Sequence, residues 1–279
     1  MGESRTACST RGRGWRGPGR CGCRRRPRPR RSERSRRCAP RPCRRPGRRS
    51  RRSPRTAWPS SSSPVTLAGD TTAPTFPTAP GVQLRTGTVT STAVPVTVTW
   101  KAADNAALAK VMAASPSSAT FGPAVTSWPT GAKPGSSDLF ALKVYDAAGN
   151  TAGASVYRTP NIIQETSTTR TGTWTHRSGT SHLGGYSYSS SSAGASISWT
   201  FTGRSVAWIV SRASTSGQAY IYVDGTKVTT VDLKSSTTLY RQAIWTKTWS
   251  SSAQHTLKIV VVGTSGRPAV TTDGITTIG

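Results

Sequence analysis

The sequence predicts an all-β protein in which two β-sandwiches follow one another behind an arginine-rich segment. Three observations predict it. From Thr71 onward Thr, Val, Ser, Ala and Gly dominate and helix-forming runs are scarce. Several short segments alternate apolar and polar residues with period two, the mark of strands with one buried face. Turn signals rich in Gly, Pro, Asn and Asp recur between those segments, as sandwiches require.

The arginine-rich segment comes first. Residues 1–56 hold 22 of the 38 basic residues, all arginine, against Glu3 and Glu33. That segment carries +20 of the formal charge of +28, leaving +8 for the remaining 223 residues. It has almost no aliphatic residues, cannot bury enough apolar surface to offset its ordering entropy, and is expected to be disordered. One functional reading is an arm for nucleic acid or another polyanion, since clustered arginines bind phosphates. The composition favours another reading, a GC-rich gene read from a wrong start or in a shifted frame: lysine is absent while Pro, Gly, Cys and Ala are mixed in. All five cysteines (Cys8, Cys21, Cys23, Cys38 and Cys43) lie here. Cys21-Gly22-Cys23 is too close for a usual metal pair, and no histidine is near. No apolar run follows the basic start, so no export signal is visible in the chain as given. No stretch approaches the roughly 18 apolar residues of a membrane span. With the Ser/Pro-rich linker from Trp58, residues 1–63 are set apart from the folded region.

The first sandwich is assigned to residues 64–160. In Val94-Pro-Val-Thr-Val-Thr-Trp100 the residues Val94, Val96, Val98 and Trp100 share a face, and Phe140, Leu142 and Val144 do so in the segment to Tyr145. Asp146–Asn150 supplies a tight turn, with Gly149 and Asn150 suited to positive φ. Ala102–Ala114 is Ala-rich but has no clean helical stripe, so a turn at Asp104-Asn105 followed by a strand is expected. The opening Asp70-Thr-Thr-Ala-Pro74, the strand ending in Trp100 and the closing Lys143-Val-Tyr-Asp-Ala-Ala-Gly-Asn-Thr151 resemble bacterial immunoglobulin-like and fibronectin type III-like repeats. That resemblance implies the fold and, by itself, little about function, since such repeats are mostly spacers and adhesion modules.

The second sandwich is assigned to residues 161–279. Ile197, Trp199 and Phe201 alternate in a strand that Gly203 is expected to end, and Val206–Val210 is a denser apolar run, as in a central strand. Ala219–Val223 alternates again, and Asp224-Gly225 joins it to Thr226–Val231, a strong hairpin signal. Gln242–Trp249, Thr256–Val262 and Thr271–Ile278 complete at least seven strands, enough for a two-sheet sandwich or jelly roll. The order of Gly172-Thr-Trp174, the Gly/Tyr/Ser stretch 184–192, Gly194–Gly203, Tyr222-Val-Asp-Gly225, His255-Thr-Leu-Lys-Ile259 and Gly263–Pro268 resembles the galactose-binding-like jelly rolls of actinobacterial and other bacterial secreted proteins. Many of these are carbohydrate-binding modules. The resemblance implies an extracellular or cell-wall location and a sugar-like ligand.

Catalysis needs convergent acids, bases or nucleophiles. The folded region has eight carboxylates: Asp70, Asp104, Asp138, Asp146, Glu165, Asp224, Asp232 and Asp273. Asp104, Asp146 and Asp224 fall in or beside turns, whereas Glu165 and Asp232 are the least explained. No nucleophile elbow, phosphate loop or zinc-protease motif is present. His255 precedes a strand where the resemblance implies a structural residue. His176 and His182 lie in a Ser/Thr/Gly-rich loop within reach of a ligand, although exposed loop histidines are the commoner case. The expected protein is therefore not an enzyme.

Sugar recognition stacks Trp and Tyr rings on the apolar pyranose face and directs polar groups at the hydroxyls. Trp199 and Trp208 are expected in the core. Trp174, Tyr186, Tyr188 and Tyr240 sit in polar surroundings that core packing does not explain, and Arg212, Arg241 and Arg267 are their candidate polar partners. The ligand-binding candidates are thus Trp174, Tyr186, Tyr188, Arg212, Tyr240, Arg241 and Arg267. The expected partner is a polysaccharide or cell-wall glycan, with a protein-binding adhesive role as the alternative and nucleic acid only through residues 1–56. A monomer with no cofactor is expected, apart from the structural calcium that jelly rolls of this class sometimes carry.

Overall fold

A computed structural model describes residues 69–279. The readings of residues 1–63 and of the cysteines lie outside the described residues. Seventeen strands follow one another, with two single-turn 3-10 helices, Glu165–Ser167 and Leu183–Gly185, and no α-helix among the described residues.

The first lobe arises from β1 (Thr75–Leu84), β2 (Gly87–Thr88), β3 (Val94–Ala103), β4 (Leu108–Ser115), β5 (Ala119–Phe121), β6 (Ser127–Ala132), β7 (Asp138–Asp146) and β8 (Thr151–Arg158). One antiparallel sheet has the order β1-β3-β6 and the other β5-β4-β7-β8. Val94, Val96, Val98 and Trp100 on β3 and Phe140, Leu142 and Val144 on β7 are buried between the sheets, as their alternation requires. The Asp146–Asn150 turn holds the start of the lobe. Asn150 Nδ2 donates to the carbonyls of Asp70 and Thr72 at 3.0 and 3.3 Å, and Asp146 Oδ1 accepts from the Gly149 and Asn150 amides at 2.6 and 2.7 Å. Two segments far apart in sequence are thereby fastened at one end of the lobe.

The second lobe contains β9 (Pro160–Ile163), β10 (Thr169–Thr171), β11 (Thr175–Ser178), β12 (Tyr186–Ser190), β13 (Ser196–Arg212), β14 (Gln218–Val223), β15 (Thr226–Asp232), β16 (Leu239–Val261) and β17 (Val270–Ile278). The strand order is β11-β12-β17-β13-β16-β14-β15, with β10 on β13, β9 on β17 and β2 on β16. The β14–β15 hairpin turns at Asp224-Gly225, where φ values of 50° and 80° give the backbone twist that a two-residue hairpin loop needs.

Gly203 does not end a strand. The two segments expected on either side of it form one 17-residue strand, β13, and Gln242–Trp249 and Thr256–Val261 likewise belong to the 23-residue β16. Each long strand serves both layers of a jelly-roll sandwich. Ser196–Gly203 pairs with Ala253–Val260 beside β10 and β14, whereas Ser205–Arg212 pairs with Leu239–Thr248 beside β17 and β2. The corner between the halves lies at Gly203. A Cβ there would sit 2.8 Å from the Ile278 carbonyl oxygen, so the glycine permits a close backbone approach rather than a stop.

Trp199 and Trp208, both fully buried, share the lobe's own core with Ile221, Leu257, Ile259 and Ile275. Ala207 and Ile209 alternate to the opposite face. There they pack, with Ala243 and Ile278, into the cluster that holds Val82, Leu84 and Val89 of the first lobe. The run Val206–Val210 is continuously apolar because both of its faces are covered. The seam is also hydrogen-bonded: the Leu84 amide donates to Ser205 Oγ at 3.2 Å, the Val89 amide to the Arg241 carbonyl at 2.8 Å, and Gln242 Nε2 to Thr88 Oγ1 at 3.0 Å.

Because Ile209 belongs to a core shared by both lobes, Ile209→Ala should lower stability by about 2–5 kcal/mol. Scanning calorimetry should show a single unfolding transition that moves as a whole. A first-lobe transition left in place by the substitution would show that the lobes unfold independently.

Candidate functional site

Residues 207, 209 and 211 share one face of β13. At the ends of the strands the surface opens into a cleft of about 310 Å³. Ser211 and Arg212 at the end of β13, Tyr240 at the start of β16, Thr271 at the start of β17, and Arg177 and Ser189 on β11 and β12 all border it. Ser178, Ala213, Ala269 and the loop residues His182, Thr215, Ser216 and Thr238 complete the wall. The lining is mostly hydroxyl-bearing, with one phenol ring and two guanidinium groups, and contains no carboxylate.

Arg241 builds the wall from behind. It adopts φ of 55°, in the left-handed region, at the irregularity where β16 shifts register against β13. A non-glycine residue there costs roughly 1–2 kcal/mol. The guanidinium offsets this by donating from Nε to the Ser181 carbonyl at 2.9 Å and from Nη2 to the carbonyls of Thr180 and His182. Its own carbonyl accepts the first lobe's Val89 amide, so one residue joins cleft loop, strand and lobe seam. Tyr240, 40% exposed, meets the His182 ring edge-on at 5.4 Å. Burial first, and then the nearby Arg241 charge, hold His182 below the ordinary histidine range, so its ring is neutral at neutral pH. Arg212 Nη2 donates to the Lys234 carbonyl at 2.8 Å, while its Nε is buried with no acceptor among the described residues.

Behind this wall lie two fully buried carboxylates, Glu165 and Asp273. Asp273 Oδ1 accepts the Leu183 amide at 3.0 Å; its Oδ2, 3.8 Å from His182 Nδ1, and both Glu165 oxygens have no hydrogen-bond partner among the described residues. Burial, followed by the Glu165 charge, pushes Asp273 up to about 8, and burial pushes Glu165 up to about 7. Three buried carboxylate oxygens without donors are a costly arrangement for a protein alone. They are the donor chemistry of a hard, oxygen-seeking cation. The buried and equally unpartnered Oε1 of the adjacent Gln164 adds a carbonyl of the same kind. A separate acidic group, Asp70, Asp104 and Asp146, brings oxygens within 4.8 Å of one another in the first lobe. There Asp104 and Asp146 accept backbone amides of their own turns.

The seven sequence-derived candidates fall into four places. Arg212 and Tyr240 border the cleft, and Arg241 supports its loop. Tyr186 and Tyr188 lie on the opposite face of β12, where both rings meet His176 at 5.5 Å and the Arg170 guanidinium covers Tyr188 at 4.1 Å. Trp174 is half-buried against the core, its Nε1 donating to the carbonyls of Ser196 and Thr171 at 3.1 and 3.2 Å. Arg267 is a clamp: it grips Asp232 with two bonds of 2.7 Å and the Ser216 carbonyl with one of 2.8 Å, fixing the loop that forms one cleft wall. That fork explains Asp232. His255 bonds Asp224 at 2.8 Å and stacks on Trp249 at 3.8 Å, stiffening the β14–β15 hairpin. Sequence reasoning missed Arg177, Ser211 and Asp273. Asp273 was detectable as a lone charge inside the otherwise uncharged strand β17; Arg177 left no such signal.

No protein-family model matches the chain, and no curated protein matches it. Among solved structures it is similar to the CBM36-1 domain of a multidomain xylanase from the hindgut metagenome of Trinervitermes trinervoides, at 16% identity over 43% of this chain and 96% of that one, with a TM-score of 0.33. It is similar to a family 35 carbohydrate binding module from Clostridium thermocellum at 16% identity over 43% of this chain and 98% of that one, with a TM-score of 0.33. A third likeness, to the Agl-KA catalytic domain, has 17% identity and a TM-score of 0.33; it covers 43% of this chain, which spans only 27% of that domain.

The Arg267–Asp232 fork generates a pH prediction. The arginine's hydrogen bonds hold the Asp232 carboxyl down to about 2. A depressed carboxylate contributes stability above the ordinary range near 4 and loses it as pH falls toward 2. Arg267→Ala should therefore lower the melting temperature at neutral pH and flatten its fall between about pH 4 and 2. Melting curves across that window check it; an unchanged acid limb would show that the clamp contributes nothing.

Proposed function

We propose that the chain is a non-catalytic carbohydrate-binding protein that acts outside the cell or in the cell wall as a monomer. The second lobe is its binding module and the first an immunoglobulin-like spacer. The observation that carries this reading is the preformed cleft, where Ser and Thr hydroxyls, the Tyr240 ring and the Arg212 guanidinium converge. Sugars present apolar C–H faces and hydroxyl edges, and that combination answers both. The acid-free lining favours binding over hydrolysis by paired carboxylates.

Glycan arrays and pull-downs on insoluble polysaccharides test this. Tyr240→Ala should weaken glycan binding about 10-fold or more, the usual size for a central aromatic contact. Trp174→Ala should act mainly on stability, because its ring packs on the core and its Nε1 is already used. Failure to bind any glycan would sink the reading and favour a protein-binding adhesive role.

We further propose a structural calcium held by Glu165 and Asp273. When bound, the ion would neutralise the buried pair and secure β17 and the 165–167 turn behind the cleft. Added calcium should raise the melting temperature relative to chelator by about 5–10 °C at a hundredfold excess over Kd. Glu165→Gln, which removes one buried charge, should abolish that response without lowering the melting temperature measured in chelator. A calcium response that survives Glu165→Gln would place the ion elsewhere.

A further inference from the structure

The loop that closes the cleft is held from outside itself. Residues 179–185 form a strap between β11 and β12. Its own backbone bonds close within it: the Gly179 amide donates to the Gly185 carbonyl at 2.8 Å, His182 to Gly179 at 3.1 Å, and Gly185 to His182 at 3.2 Å. Such bonds fix the shape of a loop and leave its position open. Hollows lie on both sides of it. His182 lines the cleft, while Leu183 and Gly184 border a second hollow of about 400 Å³ that Ser91, Pro134 and Gly135 of the first lobe also line. The place of the strap is therefore decided by a few anchors. Arg241 donates to the carbonyls of Thr180, Ser181 and His182, and Asp273 accepts the Leu183 amide. The Leu183 side chain is buried in the cluster that holds Val82, Leu84 and Val89.

Two of these anchors lead to the first lobe. Leu183 does so through its packing, and Arg241 through its carbonyl, which accepts the Val89 amide at 2.8 Å. The next two residues, Gln242 and Ala243, pair with Thr88 and Gly87 of β2. The side chain and carbonyl of a residue turn together about its N–Cα bond. The left-handed φ of 55° that aims the Arg241 guanidinium at the strap thus also points its carbonyl at Val89. Without that support an arginine relaxes out of the left-handed region. Resting on the carbohydrate reading above, we infer that the first lobe is a working part of the binding unit: through Val89 it holds Arg241, and Arg241 positions the strap that carries His182 into the cleft. Arg241 is a positioning residue, since it does not itself line the cleft. Its effect on a ligand passes through His182, whose ring meets the exposed Tyr240 ring at 5.4 Å.

Hydrogen exchange of the full chain, followed by mass spectrometry, tests this together with the glycan array. Arg241→Gly relieves the left-handed strain and removes the guanidinium, whereas Val89→Pro removes the amide donor from the other lobe. Each should speed exchange of the 179–185 amides about 10-fold or more, while β13 and β16 keep their protection. The array signals of the wild-type chain should fall about 10-fold in both variants. If Val89→Pro unfolds the first lobe, Thr88→Val carries the same expectation, because it removes the hydroxyl that Gln242 Nε2 reaches at 3.0 Å. Leu142→Ala is the control. It truncates the first lobe's core on β7, which pairs only with β4 and β8, and should leave strap exchange and array signals unchanged. Unchanged strap exchange in Arg241→Gly, or in both first-lobe seam variants, overturns the inference. So does faster strap exchange that Leu142→Ala reproduces, which would mark a general loss of stability. A looser strap with array signals intact would show that its place does not govern binding, and overturns it equally. A blank array for the wild-type chain would sink the carbohydrate reading alone, since exchange still decides whether the first lobe positions the strap.

Discussion

The middle of β13 is covered on both sides, and most of the architecture follows from that constraint. Val206, Trp208 and Val210 face the second lobe's own core, while Ala207 and Ile209 face the first lobe. A strand buried on both faces cannot use polar alternation, so its backbone groups must be satisfied within the sheet. They are, by β16 on one edge and β17 on the other. The same strand must still reach the second layer of the sandwich, which it does by turning the corner at Gly203 against the Ile278 carbonyl. Ser205, immediately after the corner, accepts the Leu84 amide and ties the lobes together where the strand bends.

The cleft is the other end of this arrangement. Ser211, two residues beyond Ile209 on β13, is buried and borders the cleft. The cleft at the strand ends is lined mostly by hydroxyl-bearing residues. Arg241 carries the backbone strain of this boundary, and its guanidinium spans the loop that closes the cleft from behind. The buried pair Glu165 and Asp273 lies under the same loop, through the Leu183 amide. Cleft wall, lobe seam and buried acids are therefore joined through a few residues, and a change in one is felt by the others.

Local pattern revealed the strands well and the corner poorly. Alternation placed Trp100, Phe140, Trp199 and Phe201 in the core, and the Asp224-Gly225 pair forms the hairpin its chemistry demands. Gly203 reads as a stop because a glycine between two apolar runs usually punctuates them. Whether it ends a strand or bends one depends on Ile278, 75 positions away, which no local window contains. The aromatic argument had a similar limit. Trp174 and Tyr240 occupy equally polar stretches, yet one packs on the core and the other borders the cleft, because exposure is set by which loops fold over them.

What the sequence determined by itself was the all-β class, the turn chemistry and the inward face of each strand, since these depend on residues a few positions apart. Charge partnership was decided only by tertiary structure. Arg212, Arg241 and Arg267 are indistinguishable in sequence; folding gives Arg267 a carboxylate, Arg241 three carbonyls and Arg212 a buried Nε without an acceptor. The same holds for the acids, where Asp232 is held well below the ordinary range by its arginine and Asp273 is raised by burial. Coulomb attraction and desolvation act through space, and the distances that set them come from strand register across the sheet rather than from spacing along the chain.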